Sequence, residues 1–444
     1  MFHFPKDLYT DIRLEEVTKT KITFRDHTLL ENKKSVSIGA FIRIFDGNRW
    51  YYSATTRLDH LQEEIDKLAL MATPHKDIYE HPCITALEVN TGSFITYQNP
   101  IKDIPLVDKQ TLLKKYATLA RETEEVSTYT ASYVDTHTLK KIYSSKGTNL
   151  TFDTQNGGFY ISYTLKSGEK TFDSFYSKGM DTFEELKGFD EEVKTHIQKG
   201  IHFMKEATPI EAGEYTVIFS PMATGVFTHE SFGHKSESDF MLGSEAMKKE
   251  WELGKKVGVE TLTIIDRGDL NGSGYVPFDD EGNRARVNPI VKDGILTGRL
   301  HSALTSAALK ENLTGNARAV NFEFEPIVRM TTTYIDKGPL TKEALFKGVK
   351  DGIYIEDIKH GFGMSTFTIA PSTAYRIREG KIAEPVMISV VSGNVMETLY
   401  HIDGISNEVE TFSFVSGGCG KMEQYPLPVG FGGPYIRVNH IQVQ

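Results

Sequence analysis

"TGVFTHESFGHKSESD", Thr224 to Asp239, carries two histidines and a glutamate in the order His229-Glu230-Ser231-Phe232-Gly233-His234. The spacing is one residue wider than the His-Glu-x-x-His of zinc-protease helices, where histidines four apart lie about 40° apart around the axis and converge on one ion. Five apart on an ideal helix, the two rings diverge by about 140°. A shared metal therefore requires a widened turn at or beside Phe232-Gly233, a π-type insertion that absorbs one residue. Gly233 is the residue that best tolerates such strain. Upstream, "EYTVIF" reads as a strand, Ser220 as an N-cap and Pro221 as a first-turn residue whose missing N–H costs nothing. A helix is expected from Met222 to about Glu237.

By chance, a His-Glu-x-x-x-His string arises in roughly 1% of chains this long, so a third ligand must decide between a metal centre and surface histidines. Glu237, Asp239 and Glu245 follow locally, while His301, His360, His401 and Cys419 lie farther along. Cys419 stands out in "VSGGCGKMEQ". Its flanking glycines let backbone approach and leave the thiol reachable rather than in a core, and Lys421 favours the thiolate that binds zinc. Cys83, in "HPCITALEV" at the start of an apparent strand, reads as a small buried hydrophobe.

Around this segment the chain has 444 residues, which suggests two domains or one large two-part fold. "RLDHLQEEIDKLALMA", "KQTLLKKYATLARETEEV" and "FEELKGFDEEVKTHIQKGIHFMKEA" have helical spacing, and from Ser127 to Phe175 the pattern becomes a period-two strand meander. Beyond Gly213, short strands such as "YTVIF", "TLTII", "IVRMTTTYI", "PVMISVVSG" and "YIRVNHIQV" surround one important helix. The expected fold is α+β: an N-terminal α/β domain over 1–207 and a β-rich metallopeptidase domain over 208–444. Acidic residues outnumber basic ones by a net charge of −10 without any basic block, which argues against direct nucleic-acid binding. No segment approaches the ~18 uncharged apolar residues of a membrane span, and charges interrupt any N-terminal signal-like run. Two cysteines fit a reducing cytoplasm.

Five ordered blocks carry a family resemblance: "THESFGHKSESD", "PFDDEGNRARVNPIVKDGILTG", "LTGNARA" before "PIVRMTTTYID", "AYRIREGKIAEPV" and "GGCGKMEQYPLPVGFGGPYIRV". The chain resembles the TldD/PmbA family of zinc metallopeptidases, known also as modulators of DNA gyrase, and within it the TldD-type subunit that keeps His-Glu-x-x-x-His. The resemblance implies one Zn²⁺ per chain held by His229, His234 and Cys419, with Glu230 as the catalytic carboxylate. It implies a peptidase of unfolded or extended peptides, with its site enclosed in a homodimer or a heterodimer with a paralogue. The chain departs from the family at Lys235-Ser236, Ala319, Glu423 and "GFGMST", none of them a proposed ligand.

Other acidic and basic residues admit two readings each. Glu237 and Asp239 either orient the histidines through their second ring nitrogens or are solvated at a helix end. Asp279, Asp280 and Glu281 read first as a turn with Gly282 supplying the unusual backbone angle, and second as substrate-facing groups. Arg318 either binds a peptide carboxylate or packs structurally. The rival to catalysis is a scaffold or regulatory subunit with a structural or vacant metal site, a state that occurs within the family; a zinc amidohydrolase of non-peptide amides is a third reading.

Overall fold

In the computed structural model, which describes residues 2–444, the N-terminal part is built on one seven-stranded sheet. Its strands are β1 (Tyr9–Arg25), β2 (Thr28–Phe45), β3 (Trp50–Thr55), β4 (Thr91–Phe94), β5 (Val126–Ser144), β6 (Asn149–Ser167) and β7 (Lys170–Met180). They lie in the order β3-β2-β1-β5-β6-β4, with β7 also paired to β6. The three expected helices appear as α1 (Leu61–Met71), α2 (Leu106–Arg121) and α3 (Asp190–Glu206). Each buries the stripe its periodicity marks. Leu61, Ile65 and Leu68 of α1 meet Ile42 and Ile44, while Leu113, Tyr116, Val193 and Ile197 close over Tyr133, Phe159 and Ile161. Cys83 is buried as expected, but within a short helix, Pro82–Ala86, not a strand.

The C-terminal part holds two further large sheets and two two-stranded ones. Strands β8 (Gly213–Phe219), β9 (Ile264–Arg267), β10 (Val287–Lys292), β11 (Thr332–Ile335), β12 (Asp351–Gly363), β13 (Thr366–Arg378), β14 (Lys381–Met387), β15 (Val391–Asn394), β16 (Glu410–Ser413), β17 (Cys419–Lys421), β18 (Gln424–Leu427), β19 (Gly430–Gly433) and β20 (Ile436–Val443) are its main elements. One sheet runs β12-β8-β20-β15-β13, and pairing of β12 with β13 closes that path into a ring. The other runs β10-β9-β11-β19-β16. The strand expected at "TLTII" begins only at Ile264, "IVRMTTTYI" is split between Ile327–Val328 and β11, and "PVMISVVSG" between β14 and β15. Four short helices, Glu245–Glu250, Ala303–Leu309, Lys342–Lys347 and Val395–Tyr400, join the one expected. Barely two turns each, they are too short for a 3.6-residue period to register.

The histidine-bearing helix is wedged between these sheets. It begins as α4 (Pro221–Thr228), where Ser220 Oγ accepts the Ala223 N–H at 3.2 Å as the cap requires. Two glycines allow the wedge: a Cβ on Gly225 would lie 2.6 Å from the Gly432 nitrogen, and one on Gly432 2.1 Å from the Glu410 carbonyl oxygen. The helix backbone thus lies almost directly on β19.

The acidic turn joins the two halves. Gly282 has φ +82°, the left-handed angle expected there. Asp279 accepts N–H groups from Glu281, Asn283 and Ala317 at 3.0, 2.9 and 3.1 Å. Asp280 accepts from Ala319 N at 2.7 Å and from Lys140 of β5. Glu281 meets Arg43 of β2 at 3.1 Å, and Arg43 also grips Asp11. All three carboxylates are buried and partnered, so their first reading, as a structural turn, accounts for every contact they make.

Candidate metal centre

After Thr228 the helix widens. His229–Gly233 form a π-turn, followed by one α-helical turn at His234–Ser236. The extra residue is absorbed where expected, and the His229 and His234 rings come to 5.2 Å between centroids, at 79° to each other. The reason for Gly233 differs from the expected one. Its φ of −55° and ψ of −61° are ordinary helical values, so no strain needs a glycine. What needs it is space: a Cβ there would lie 1.9 Å from Met330 Sδ.

Cys419 arrives from the opposite side on the β17–β18 hairpin, and ligand atoms of His229, His234 and Cys419 all lie within 4.8 Å of one another. Cys419 Sγ is 3.5 Å from His234 Nε2. The expectation of a reachable thiol in a loop is corrected, since Cys419 is 3% exposed and packs in the domain core. Its flanking Gly418, at φ +155°, lets the hairpin close on Leu427, whose carbonyl oxygen would be 2.4 Å from a Cβ. Lys421 is also reassigned. Its ammonium lies 2.6 Å from Asp239, 3.2 Å from Glu237 and 2.8 Å from the Val328 carbonyl, so it neutralises acids and not the thiol.

Those acids differ in role. Glu237, fully buried, sits 3.1 Å from His234 Nδ1 and so directs Nε2 at the thiol, an arrangement that fixes ring and tautomer. Asp239 touches neither histidine and anchors Lys421 instead. Arg318 donates to the Met330 carbonyl at 2.6 Å and the Pro428 carbonyl at 2.8 Å, its pKa lowered to about 10 by burial. Its contacts are those of a strut between strands. Arg329, which sequence reading passed over, donates to the Cys419 carbonyl at 2.8 Å and the Gln424 carbonyl at 3.3 Å and so fixes the hairpin. A charge inside the apolar run "IVRM" was the signal for it. Of the other ligand candidates, Glu245 begins a separate short helix, His301 pairs with Glu311 at 3.0 Å, and His401 meets His440 edge-on at 4.9 Å between ring centroids.

Charge at the cluster fits a cation. Burial alone would raise the Cys419 pKa, but His229 and His234 outweigh it and bring it down to about 5. Burial disfavours charge on His234, yet its bonds to Cys419 and Glu237 raise it to about 10. Both shifts favour charge on the two groups facing each other, the thiolate being the form that would bind a metal ion. His229 Nδ1 is buried without a hydrogen-bond partner. Two imidazoles, one of them with that orphaned nitrogen, and one thiolate suit a borderline-soft metal such as zinc. Glu230, beside this set, is partly buried, and its pKa is raised by burial, with His229 and His234 opposing.

A His/His/Cys cluster flanked by a glutamate has the donor set that a metal-dependent hydrolase would use. Three family models match in succession: PmbA/TldA metallopeptidase domain 1 over residues 10–73, the central domain over 99–199 and the C-terminal domain over 212–444. The chain belongs to the PmbA/TldD metallopeptidase family, and by that membership is an enzyme of the metallopeptidase class. It is 31% identical to a metalloprotease of Synechocystis sp. over 98% of this chain and 94% of the relative. It is 30% identical to a zinc metalloprotease TldD homologue of Saccharolobus solfataricus over 98% and 96%. Its fold is similar to that of a candidate DNA gyrase modulator from Thermotoga maritima, at TM-score 0.80 and 18% identity, covering 98% and 96% of the two chains. TldE from Thermococcus kodakarensis follows at TM-score 0.75 and 15% identity, covering 98% and 96%. No helix among the described residues is long and apolar enough to cross a membrane.

Proposed function

We propose that this chain is a zinc peptidase of unfolded or extended peptides, with one Zn²⁺ held by His229, His234 and Cys419 and with Glu230 as its catalytic carboxylate. The observation that carries the reading is the π-turn: it brings two histidines five residues apart to within 5.2 Å and leaves Glu230 between them in sequence. Bound there, zinc would supply Lewis acidity and bring the pKa of a water down towards about 7. Glu230, whose basicity burial raises, accepts the proton of the attacking water and returns it to the departing amine. Glu237 holds His234 in the tautomer that presents Nε2, and Lys421 and Arg329 keep the Cys419 hairpin closed on the cluster.

All these groups lie in 208–444, to which we assign the catalytic role, with 1–207 as a separate supporting domain. A cleft of about 290 Å³ runs between β7 and β16, lined by Asp181, Met222, Phe412 and Ser413. Phe414, the residue after the lining Ser413, sits 6.5 Å from His229 between ring centroids. An extended peptide in that cleft would meet strand backbone on both sides, which suits broad sequence tolerance. We place the protein in the cytoplasm, paired with itself or with a paralogue. Zinc content and cleavage of an unstructured peptide, measured on wild type and Glu230→Gln, test the reading. The variant should keep zinc and lose cleavage; retained cleavage removes Glu230 from its role, and a zinc-loaded wild type that cuts nothing favours a non-catalytic subunit.

A further inference from the structure

The cleft between β7 and β16 carries negative charge that its own residues leave unbalanced. Asp181, just after β7, lines it with a buried side chain whose carboxylate accepts the Gly272 N–H at 2.8 and 3.0 Å. Burial pushes the Asp181 pKa up to about 6, the Gly272 bond opposing and nearby Glu185 adding to the rise. Glu185 lines the same cleft and accepts from the Thr182 N–H and hydroxyl at 3.0 and 2.7 Å, and Glu410 adds a third acid. Among the described residues, none of the three is in an ion pair. Lys178, the one basic residue of the lining, is engaged elsewhere: its ammonium lies over the Phe189 ring at 4.7 Å and reaches Glu192 at 3.8 Å. Buried acids such as Asp280 and Glu237, by contrast, have their lysines.

The wall of the cleft also holds an unanswered hydroxyl. Thr332 is 2% exposed, lines the cleft and has no hydrogen-bond partner for its side chain. Two glycines keep that oxygen uncovered: a Cβ on Gly430, itself in the lining, would fall 2.5 Å from it, and one on Gly274 2.2 Å. Buried hydroxyls are normally paired, so a ligand that brings an N–H donor here satisfies a group the fold does not. Met222 and Phe412, both half-buried, supply apolar wall. A methylene stem packs on such side chains, and an aromatic face attracts a cation.

We propose that this cleft is a subsite for a basic side chain of the peptide, arginine or lysine, its cationic head meeting Asp181, Glu185 and the Thr332 hydroxyl while its stem lies on Met222 and Phe412. The inference deepens the peptidase reading and rests on it for the role of the bound peptide as substrate. Met222 precedes His229 by seven positions, about 10 Å along the helix axis. An extended peptide advances about 3.3 Å per residue, so the basic residue sits about three positions from the bond at the metal cluster. Backbone pairing along the rest of the cleft leaves the other positions free, so broad tolerance coexists with one preferred charge. The net charge of −10 draws the same ligands to the molecule.

Fluorescence anisotropy tests this with labelled unstructured peptides in which one position at a time holds arginine or its neutral isostere citrulline. The full-length, zinc-loaded Glu230→Gln protein measures binding apart from cleavage. At one position arginine should bind about tenfold tighter than citrulline. Asp181→Asn and Glu185→Gln should each bring that ratio towards one; Glu185 is exposed, so its variant changes the charge without disturbing the fold. In wild type, kcat/KM should follow the same ratio, through KM, with the preferred position about three residues from the bond that is cut. Equal affinity for arginine and citrulline at every position, or a preference that survives both substitutions, overturns the subsite. A preference that holds in a zinc-loaded wild type that cuts neither peptide overturns the peptidase reading and leaves the subsite standing.

Discussion

Gly233→Ala separates two accounts of why a glycine precedes His234. Its backbone is ordinary right-handed helix, where alanine is favoured over glycine by about 1 kcal/mol. Propensity alone therefore predicts a more stable protein. Packing predicts the reverse, because the new methyl would stand 1.9 Å from Met330 Sδ and 3.0 Å from its Cε. Met330 is fully buried, so moving it aside means repacking the core around it. Overpacking of this kind costs about 1–3 kcal/mol. At 1.9 Å the upper figure applies, and subtracting the propensity gain leaves a net loss of about 2 kcal/mol. In a Met330→Ala background the obstruction is gone, and the same substitution should stabilise by about 1 kcal/mol, a coupling of about 3 kcal/mol between the two sites. Urea unfolding of wild type, both single variants and the double variant measures it. A Gly233→Ala protein as stable as wild type, or a coupling near zero, would refute the steric account of the π-turn.

Lys421→Met should lower stability by about 3–5 kcal/mol, because it strands the buried Glu237 and leaves Asp239 without its cation; a change below about 1 kcal/mol in urea unfolding would show that Lys421 is not their counter-charge. Asp181 gives a pH prediction. Its carboxyl accepts the Gly272 N–H at 2.8 and 3.0 Å, and burial pushes its pKa up to about 6. Folded protein thus holds this proton where the unfolded chain, at about 3.9, has lost it. The stability it confers is full below about pH 4 and lost as pH rises through about 6, a span of about 3 kcal/mol. Asp181→Asn should flatten that decline in thermal unfolding between pH 4 and 7, and parallel pH profiles for variant and wild type would count against it.

The parts of the molecule visible in the sequence are those governed by local periodicity. The stripe on α2 and the alternation in β5 and β6 repeat often enough to be read, and the surplus residue in the histidine motif specified the π-turn because helix geometry offers few ways to absorb it. What escaped depends on contacts between distant segments. Nothing near Gly233 announces Met330 almost a hundred positions later. Lys421 and Cys419 are two residues apart, which suggested a direct electrostatic link, yet on a strand the side chains have different neighbours and the lysine's anions come from the end of the histidine helix. Arg318 read either as a group for a peptide carboxylate or as a packing residue and Arg329 drew no reading, yet both donate to carbonyls, Met330 and Cys419, whose nearness only the fold reveals.

The turn at Asp279–Glu281 bears on how this protein can be cut. Its carboxylates belong by sequence to the half that carries the metal cluster, but Lys140, Arg43 and Arg13, which offset their charge, come from the other half. A gene fragment encoding only 208–444 would contain every residue of the proposed centre and still lose Lys140, Arg13 and Arg43, the partners that Asp280 and Glu281 have across the joint. The N-terminal half thus completes the charge balance of the half that carries the proposed centre, and cutting between them would cost the acidic turn its partners.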